Sequence, residues 1–324
     1  MTRFKQADLK KIRTINIDTR HSKAAVRAFA WPINSQGAHT FFDSLPDFLK
    51  AADLKQFIYR VTVARRKGFP FIMMMGAHVI KVGLSPIIID LMEKGLVTGI
   101  SLNSAGLIHD LELAFNGETS EDVQVGLEDG TFGMARETGD WFAGVVDLAE
   151  KENIGLGEAA GMYINRRKAR YRRYSLMAAS DRLHLPAMVH LVIGTDIVQQ
   201  QPSFRPGPTA EASYRDFKIL SRLLIDVDRG GAVANIGSAV ILPEVFLKAL
   251  TVARNLKKRK SNITTANFDM INHYRPMVNV VSRPTSGGGR GFNFIGHHEI
   301  MIPLLAWGLN AYISESQKKM EIKK

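Results

Sequence analysis

The run Asn103-Ser104-Ala105-Gly106, followed within one turn by His109-Asp110, carries the residue types in this chain best suited to chemistry. Small residues where a strand turns into a helix let a ligand approach the free N–H groups of the helix N-terminus. In open α/β sheets this is also where ligands bind. His109 is a candidate base, since imidazole titrates near neutral pH. Asp110 is a candidate carboxylate partner. Both also lie in a first helical turn, where the helix dipole favours an acid, so a structural reading stands beside the catalytic one.

Two other patterns carry less. His297-His298-Glu299 brings ligand types together, but adjacent histidines point to different helix faces and the spacing His-Glu-x-x-His is absent, so no metal site is expected. Gly155-x-Gly157-x-x-x-Gly161 resembles a dinucleotide fingerprint with the wrong final spacing and no strand before it, and is set aside.

The elements that must position these residues are legible around them. FIMMM (71–75) and VTGISLN (97–103) read as buried parallel strands. Between them PIIIDLMEKG reads as a short helix with Pro86 near its start and Gly95 at its end. Upstream, LPDFLKAADLKQFIYRVTVARRKG reads as a helix. Downstream, helices interrupted by Gly130 lead to one helix over 158–177. AMVHLVI, GGAVANI, ITTANFDMI and PMVNVVS read as further strands. Helices over 209–225, from Pro243 onward and over 299–316 accompany them, and SGGGRG is a glycine-rich loop. Strands alternating with helices predict an α/β fold with one doubly wound, mostly parallel sheet. Residues 1–44 read as an N-terminal arm, 45–315 as a single domain and 316–324 as a polar tail.

With 324 residues, 45% of them hydrophobic, the chain can bury a sizeable core. It has no cysteine, which excludes disulfides, thiolate nucleophiles and Cys-ligated zinc. MTRFKQADLKKIRTINID lacks the apolar stretch of a secretory signal, and no apolar run spans a bilayer, so a cytoplasmic location is expected. The formal net charge is +12. Much of it lies in Arg166–Arg173 and in Lys257-Lys258-Arg259-Lys260. The first cluster interleaves tyrosines with arginines, as some RNA-contacting surfaces do. Solvated helix faces account for the same charge, and a basic surface also suits an acidic partner.

Four segments occur in the order MGAHVIKVGLSPIIIDLM, NSAGLIHDLELAF, PAMVHLVIGTDI and GGAVANIGSAVILPEVF. In order and spacing they resemble the deoxyhypusine synthases, NAD-dependent enzymes that move an aminobutyl group from spermidine to a lysine of a translation factor. The resemblance implies a Rossmann-like domain, NAD as cofactor and a homo-oligomer, a tetramer with sites between subunits. By this resemblance Ser104, Ala105 and Gly106 fall on the turn that contacts the dinucleotide. His78 falls in a polar trio beside it, and Asp196 in a glycine-aspartate motif offset by one residue. Gly231 lies in the matched GGAVANIG segment, and His297 lies near a cofactor-contacting aspartate. His109 and Asp110 fall on paired glutamates, one of which recognises a polyamine amine.

The chain departs from that pattern where the polyamine would sit. Asn235, Ile236 and Gly237 replace Lys-His-His, Arg283 and Arg290 replace carboxylates, and the Trp-Gly-Lys segment with the imine-forming lysine is missing. Lys81 and Lys248 lie in matched regions, but neither falls on that position. The resulting expectation is an NAD-dependent transferase or oxidoreductase acting on a small amine or an anionic substrate. His109 or Asp110 would handle the proton. Arg283, Arg290 and the Gly287-Gly288-Gly289 backbone would hold an anion. The alternatives are a non-catalytic protein binding RNA or an acidic partner, and a genuine deoxyhypusine synthase with a relocated lysine.

Overall fold

The computed structural model describes residues 9–20, 22–28, 32, 37–257 and 261–321. Six strands form one sheet: β2 (Phe71–Met75), β3 (Gly99–Asn103), β5 (Ala187–His190), β6 (Ala232–Ile236), β7 (Thr264–Asp269) and β8 (Arg290–Ile295). A separate two-stranded ribbon pairs β1 (Ser22–Ala25) with β4 (Glu118–Glu121) antiparallel. Helices α1 (Ala38–Ser44) and α2 (Leu49–Arg66) precede the sheet, and α3 (His78–Lys81) and α4 (Ser85–Glu93) join β2 to β3. Between β3 and β5 lie α5 (Ser104–Asn116), α6 (Val123–Asp129), α7 (Arg136–Glu152), α8 (Leu156–Arg166) and α9 (Leu176–Arg182). Then α10 (Pro206–Val227) leads to β6, α11 (Ile241–Leu256) to β7, α12 (Tyr274–Pro276) towards β8, and α13 (His298–Glu321) comes last. No helix among the described residues is long and apolar enough to cross a membrane.

Every neighbouring pair in the large sheet is parallel, in the order β5-β3-β2-β6-β7-β8. Numbered along the chain that is 3-2-1-4-5-6, the doubly wound order in which connections reverse direction beside the first strand. The period-2 alternation of strands explains why both faces are covered. Phe71, Met73 and Met75 enter one core cluster, whereas Ile72 and Met74 enter the other, under Leu224 and Phe246 of α10 and α11.

Three expectations change. The single helix over 158–177 is two helices, because Lys168 adopts φ 51° and Ser175 caps α9 through a hydrogen bond from Ala178 N–H. PMVNVVS is helical rather than a strand: Pro276 belongs to α12, a π-helical turn covers Met277–Ser282, and Asn279 is tied to Glu244 at 2.8 Å. The sixth strand is RGFNFI instead, where Phe292 and Phe294 point inward beside Phe57. Of the second basic cluster only Lys257 lies within the described residues.

One buried acid stitches the layers. The Asp216 carboxylate accepts from Gly157 N at 2.9 Å and Val189 N at 2.8 Å, joining α10 to α8 and β5. Burial pushes its pKa up to about 8 despite those hydrogen bonds. A raised folded-state pKa contributes stability that is present below the unfolded value and lost as pH rises through the folded one. Stability should therefore fall by about 2 kcal/mol between pH 6 and 8 from this group alone. Asp216→Asn should flatten that slope in urea titrations across the interval. An unchanged slope would place the pH dependence elsewhere.

Candidate functional site

At the carboxyl edge of the sheet, β3 ends at Asn103, whose side chain accepts from Gly106 N–H at 3.0 Å and so caps α5. The cap leaves Ser104 and Ala105 in the first turn. The Ser104 hydroxyl donates to the carboxylate of Asp196, which also accepts from the Gln199 amide at 3.0 Å. Burial raises the Asp196 pKa, against the lowering effect of these hydrogen bonds. Asp196 stands in the loop beyond β5, six residues past the strand's end at His190.

Beside this turn lies a cavity of about 170 Å³ lined by Ala105, His109, Glu112, Glu121, Asp196 and Lys81, among others. Its wall contains a relay. Thr119 donates its hydroxyl to Glu112, so its oxygen is left to accept from His109 Nδ1, 2.6 Å away. This assigns the proton of neutral His109 to Nδ1 and leaves Nε2 as the basic nitrogen. Glu112 is 1% exposed and also accepts from Thr138 at 2.8 Å and from Arg20 Nη1 at 2.7 Å. Burial alone would raise Glu112. Its partners His109 and Arg20 outweigh that and hold its pKa at about 2. Arg20 reaches the same spot from the N-terminal stretch, 3.8 Å from Glu121 as well.

The residues expected to act together do not all meet. His109, Ser104, Ala105 and Asp196 form or adjoin the cavity. Asp110 does not: fully buried, it accepts from Ser175 Oγ, Leu176 N and Met177 N and so caps α9, with burial lifting its pKa to about 6. Successive helix residues point about 100° apart, which sends Asp110 inward while His109 faces the cavity. Gly231, Arg283 and Arg290 gather at the opposite edge, because each precedes a parallel strand or opens one rather than closing it. At Gly231 a Cβ would lie 2.5 Å from Pro70 O and 2.8 Å from Val227 Cα, so glycine there serves chain packing. Arg283 bonds Asn279 at 3.0 Å, Arg290 covers the Phe292 ring, and Gly288 and Gly289 N–H both turn back to Thr285 O. The anion site expected from these residues is therefore not assembled beside the cavity.

Glu112, Arg20, Thr119 and Glu121 were not singled out from the sequence. The spacing of His109 and Glu112, one turn apart on a helix face, could have paired those two. Nothing local points to Arg20, which is 92 residues from Glu112.

The sheet reverses between β2 and β6, the place where such folds form a ligand crevice. Here Gly76 and Gly237 meet backbone to backbone, and the His78 and His298 rings lie 5.4 Å apart. Burial, then His298, lowers the His78 pKa. His297, at the carboxyl end of β8, is exposed and precedes α13. Asp269 Oδ2 and His298 Nδ1 are buried without a hydrogen-bond partner. Unsatisfied buried polar atoms of this kind suit a polar ligand laid along the edge. The turns at Gly76–His78 and Ser104–Gly106, together with these atoms, fit a dinucleotide.

No family model matches the sequence, and no curated protein matches it. Solved structures do. Apo ArgZ, an arginine dihydrolase from the cyanobacterial ornithine-ammonia cycle, is 15% identical, with TM-score 0.50 over 81% of this chain. AgrE, solved with ornithine and NAD+, is 12% identical with TM-score 0.51 over 82%. The chain spans 33% of the length of each of these two proteins. A Methanococcus maripaludis protein described as LOR/SDH is 14% identical, with TM-score 0.52 over 82% of this chain and 69% of its own. An Entamoeba histolytica protein described as a deoxyhypusine synthase is 9% identical, with TM-score 0.51 over 80% of this chain and 87% of its own. At these identities the kinship, including that with the deoxyhypusine synthases, is one of fold: the chain is a doubly wound α/β protein of the Rossmann-like kind.

Proposed function

We propose that this protein binds NAD at the carboxyl edge of its sheet and acts as an oxidoreductase or transferase on a small amine. The observation that carries the reading is the cavity beside the Ser104 turn, where a histidine held in one tautomer shares a wall with Glu121 and Asp196. AgrE, of the same fold, has been solved with ornithine and NAD+ together. NAD, when bound, supplies a hydride acceptor. The chain's own residues do the rest. Glu121 and Asp196 offer negative charge to a substrate ammonium; Arg20 has its shortest ion pair with Glu112 and lies 3.8 Å from Glu121, and Lys81 lines the same cavity. His109 Nε2 takes the proton that the nitrogen releases, and Glu112, through Thr119, steadies the imidazolium that results. An amine is favoured over an anionic substrate, since Arg283 and Arg290 stand at the other edge. We place the protein in the cytoplasm as a homo-oligomer, which size-exclusion chromatography with light scattering tests.

Calorimetric titration with NAD should give one site per chain at micromolar affinity. Ala105→Trp, which fills the cavity at the start of α5, should weaken it by about tenfold or more. Spermidine or ornithine, titrated in the presence of NAD, should bind tighter than in its absence. Lack of any NAD binding by a folded protein would overturn the cofactor assignment, and binding unaffected by Ala105→Trp would move the site elsewhere.

A further inference from the structure

A second concavity, of about 420 Å³, lies away from the candidate active site, between the C-terminal end of α8, the connection to α9, α9 itself and the end of α4. Its volume falls within the range of small-molecule pockets, about 300–1,000 Å³. Four guanidinium groups line it (Arg170, Arg172, Arg173 and Arg182) against the single carboxylate of Glu93, which Arg182 engages at 2.6 Å. Among the described residues no carboxylate pairs with Arg170, Arg172 or Arg173.

The backbone holds these arginines in place. In Ala169-Arg170-Tyr171-Arg172-Arg173-Tyr174, the alanine and Tyr174 are buried and the arginines turn out. Tyr171 N–H donates to Ala114 O at 2.9 Å, and its ring lies against Gly117, where even a Cβ would come within 2.7 Å of it. Arg170 stacks on Tyr171 at 5.1 Å and Arg173 on Tyr174 at 4.7 Å, while Arg173 also donates to the Tyr174 hydroxyl. Arg172 Nη1 donates to Ala169 O at 3.2 Å. Asp110, buried beneath, pins the far end of the connection to Ser175, Leu176 and Met177. Guanidinium planes fixed in advance lose little freedom when they engage an anion, and their fork geometry matches phosphate oxygens. Like charges facing one concavity also raise the local concentration of anions.

We infer that this arginine-lined concavity is a binding site for phosphate groups, engaging at least two phosphate charges at once, separate from the cofactor edge. The phosphates could be those of a free nucleotide or of a nucleic acid strand, and the same site chemistry serves both.

The test is calorimetric titration of the full chain with inorganic pyrophosphate at about 0.1 M ionic strength, where diffuse surface attraction is screened beyond about 10 Å. One site per chain is expected. Arg170→Gln with Arg172→Gln should weaken it about a hundredfold. Arg166→Gln with Arg167→Gln removes the same charge outside the concavity and should leave it within about twofold. Both double variants should keep the parent melting temperature, because the altered side chains face solvent. ATP binding tighter than pyrophosphate, lost in the first variant, assigns free nucleotides. Oligouridylate binding tighter than ATP, lost in the same variant, assigns a nucleic acid strand. Equal weakening in both double variants, or no binding of any of the three probes, overturns the site. So does displacement of pyrophosphate by NAD with affinity retained in Arg170→Gln/Arg172→Gln, since the ligand would then occupy the cofactor edge.

Discussion

Glu112→Ala is expected to lower the unfolding free energy by about 3–5 kcal/mol, because it strands the Arg20 guanidinium in the interior. The Arg20 side chain is 4% exposed and its shortest ion pair, 2.7 Å, is with Glu112. The substitution also removes the acceptor of Thr119 and Thr138, two buried hydroxyls. Urea unfolding at neutral pH reads the effect directly. The pH dependence provides an independent signature. Burial opposes the Glu112 charge, yet its partners hold the folded-state pKa at about 2, below the ordinary 4.5. A depressed carboxylate pKa contributes stability that is present above the unfolded value and lost as pH falls through the folded one. The parent protein should lose about 3 kcal/mol from this group between pH 4.5 and 2. The variant should lack that part of the acid limb. An unchanged acid limb would mean that Arg20 and Glu112 are not paired in solution. The relay has a catalytic reading too: with Glu112 gone, Thr119 no longer fixes the His109 tautomer, and turnover of the preferred amine should fall further than binding does.

Gly76→Ala should cost about 3 kcal/mol or more, at the upper end of what overpacking does, since the clash is with backbone. A Cβ at this position would lie on the carbonyl oxygen of Gly237 and 2.9 Å from its carbonyl carbon. The same residue donates its N–H to Ile236 O at 2.9 Å, so the turns after β2 and β6 are held together there. Alanine must drive them apart at the point where the sheet reverses. If NAD lies across these turns, its affinity should drop along with stability. Gly207→Ala is the matched control: it meets nothing within 4 Å in the first turn of α10 and should be neutral or slightly stabilising. Equal stability of the two variants would show that the close approach is absent in solution.

The difference between β8 and the run at 277–282 shows where reading from sequence loses its grip. Met-Val-Asn-Val-Val is rich in β-branched residues, yet Pro276 and the Asn279–Glu244 bond keep it helical. SGGGRG reads as loop, yet its last two residues open a strand whose alternating phenylalanines complete the sheet over Phe57. Propensity is a weak prior beside the chance to bury two aromatic rings.

The α/β class, a strand at 71–75, another within 97–103 (Gly99–Asn103 in the fold) and the small-residue turn at Ser104 were legible locally, because apolar runs, Pro and Gly punctuation and caps act over a few residues. The helix after that turn also carried two candidates, His109 and Asp110, and nothing local separated the one that faces the cavity from the one that caps α9. Which charges meet depends on the folded arrangement. Arg20, the α5–β4 segment carrying Glu112 and Thr119, and Asp196 come from three separate stretches of chain, and no local period links them. Strand direction likewise puts Arg283 and Arg290, which precede or open β8, at the amino edge, away from His109. In a parallel sheet the residues leading into the strands collect at one end and those leaving them at the other. Pairing of charge depends on distances in space, and those arise only when the chain has closed its core.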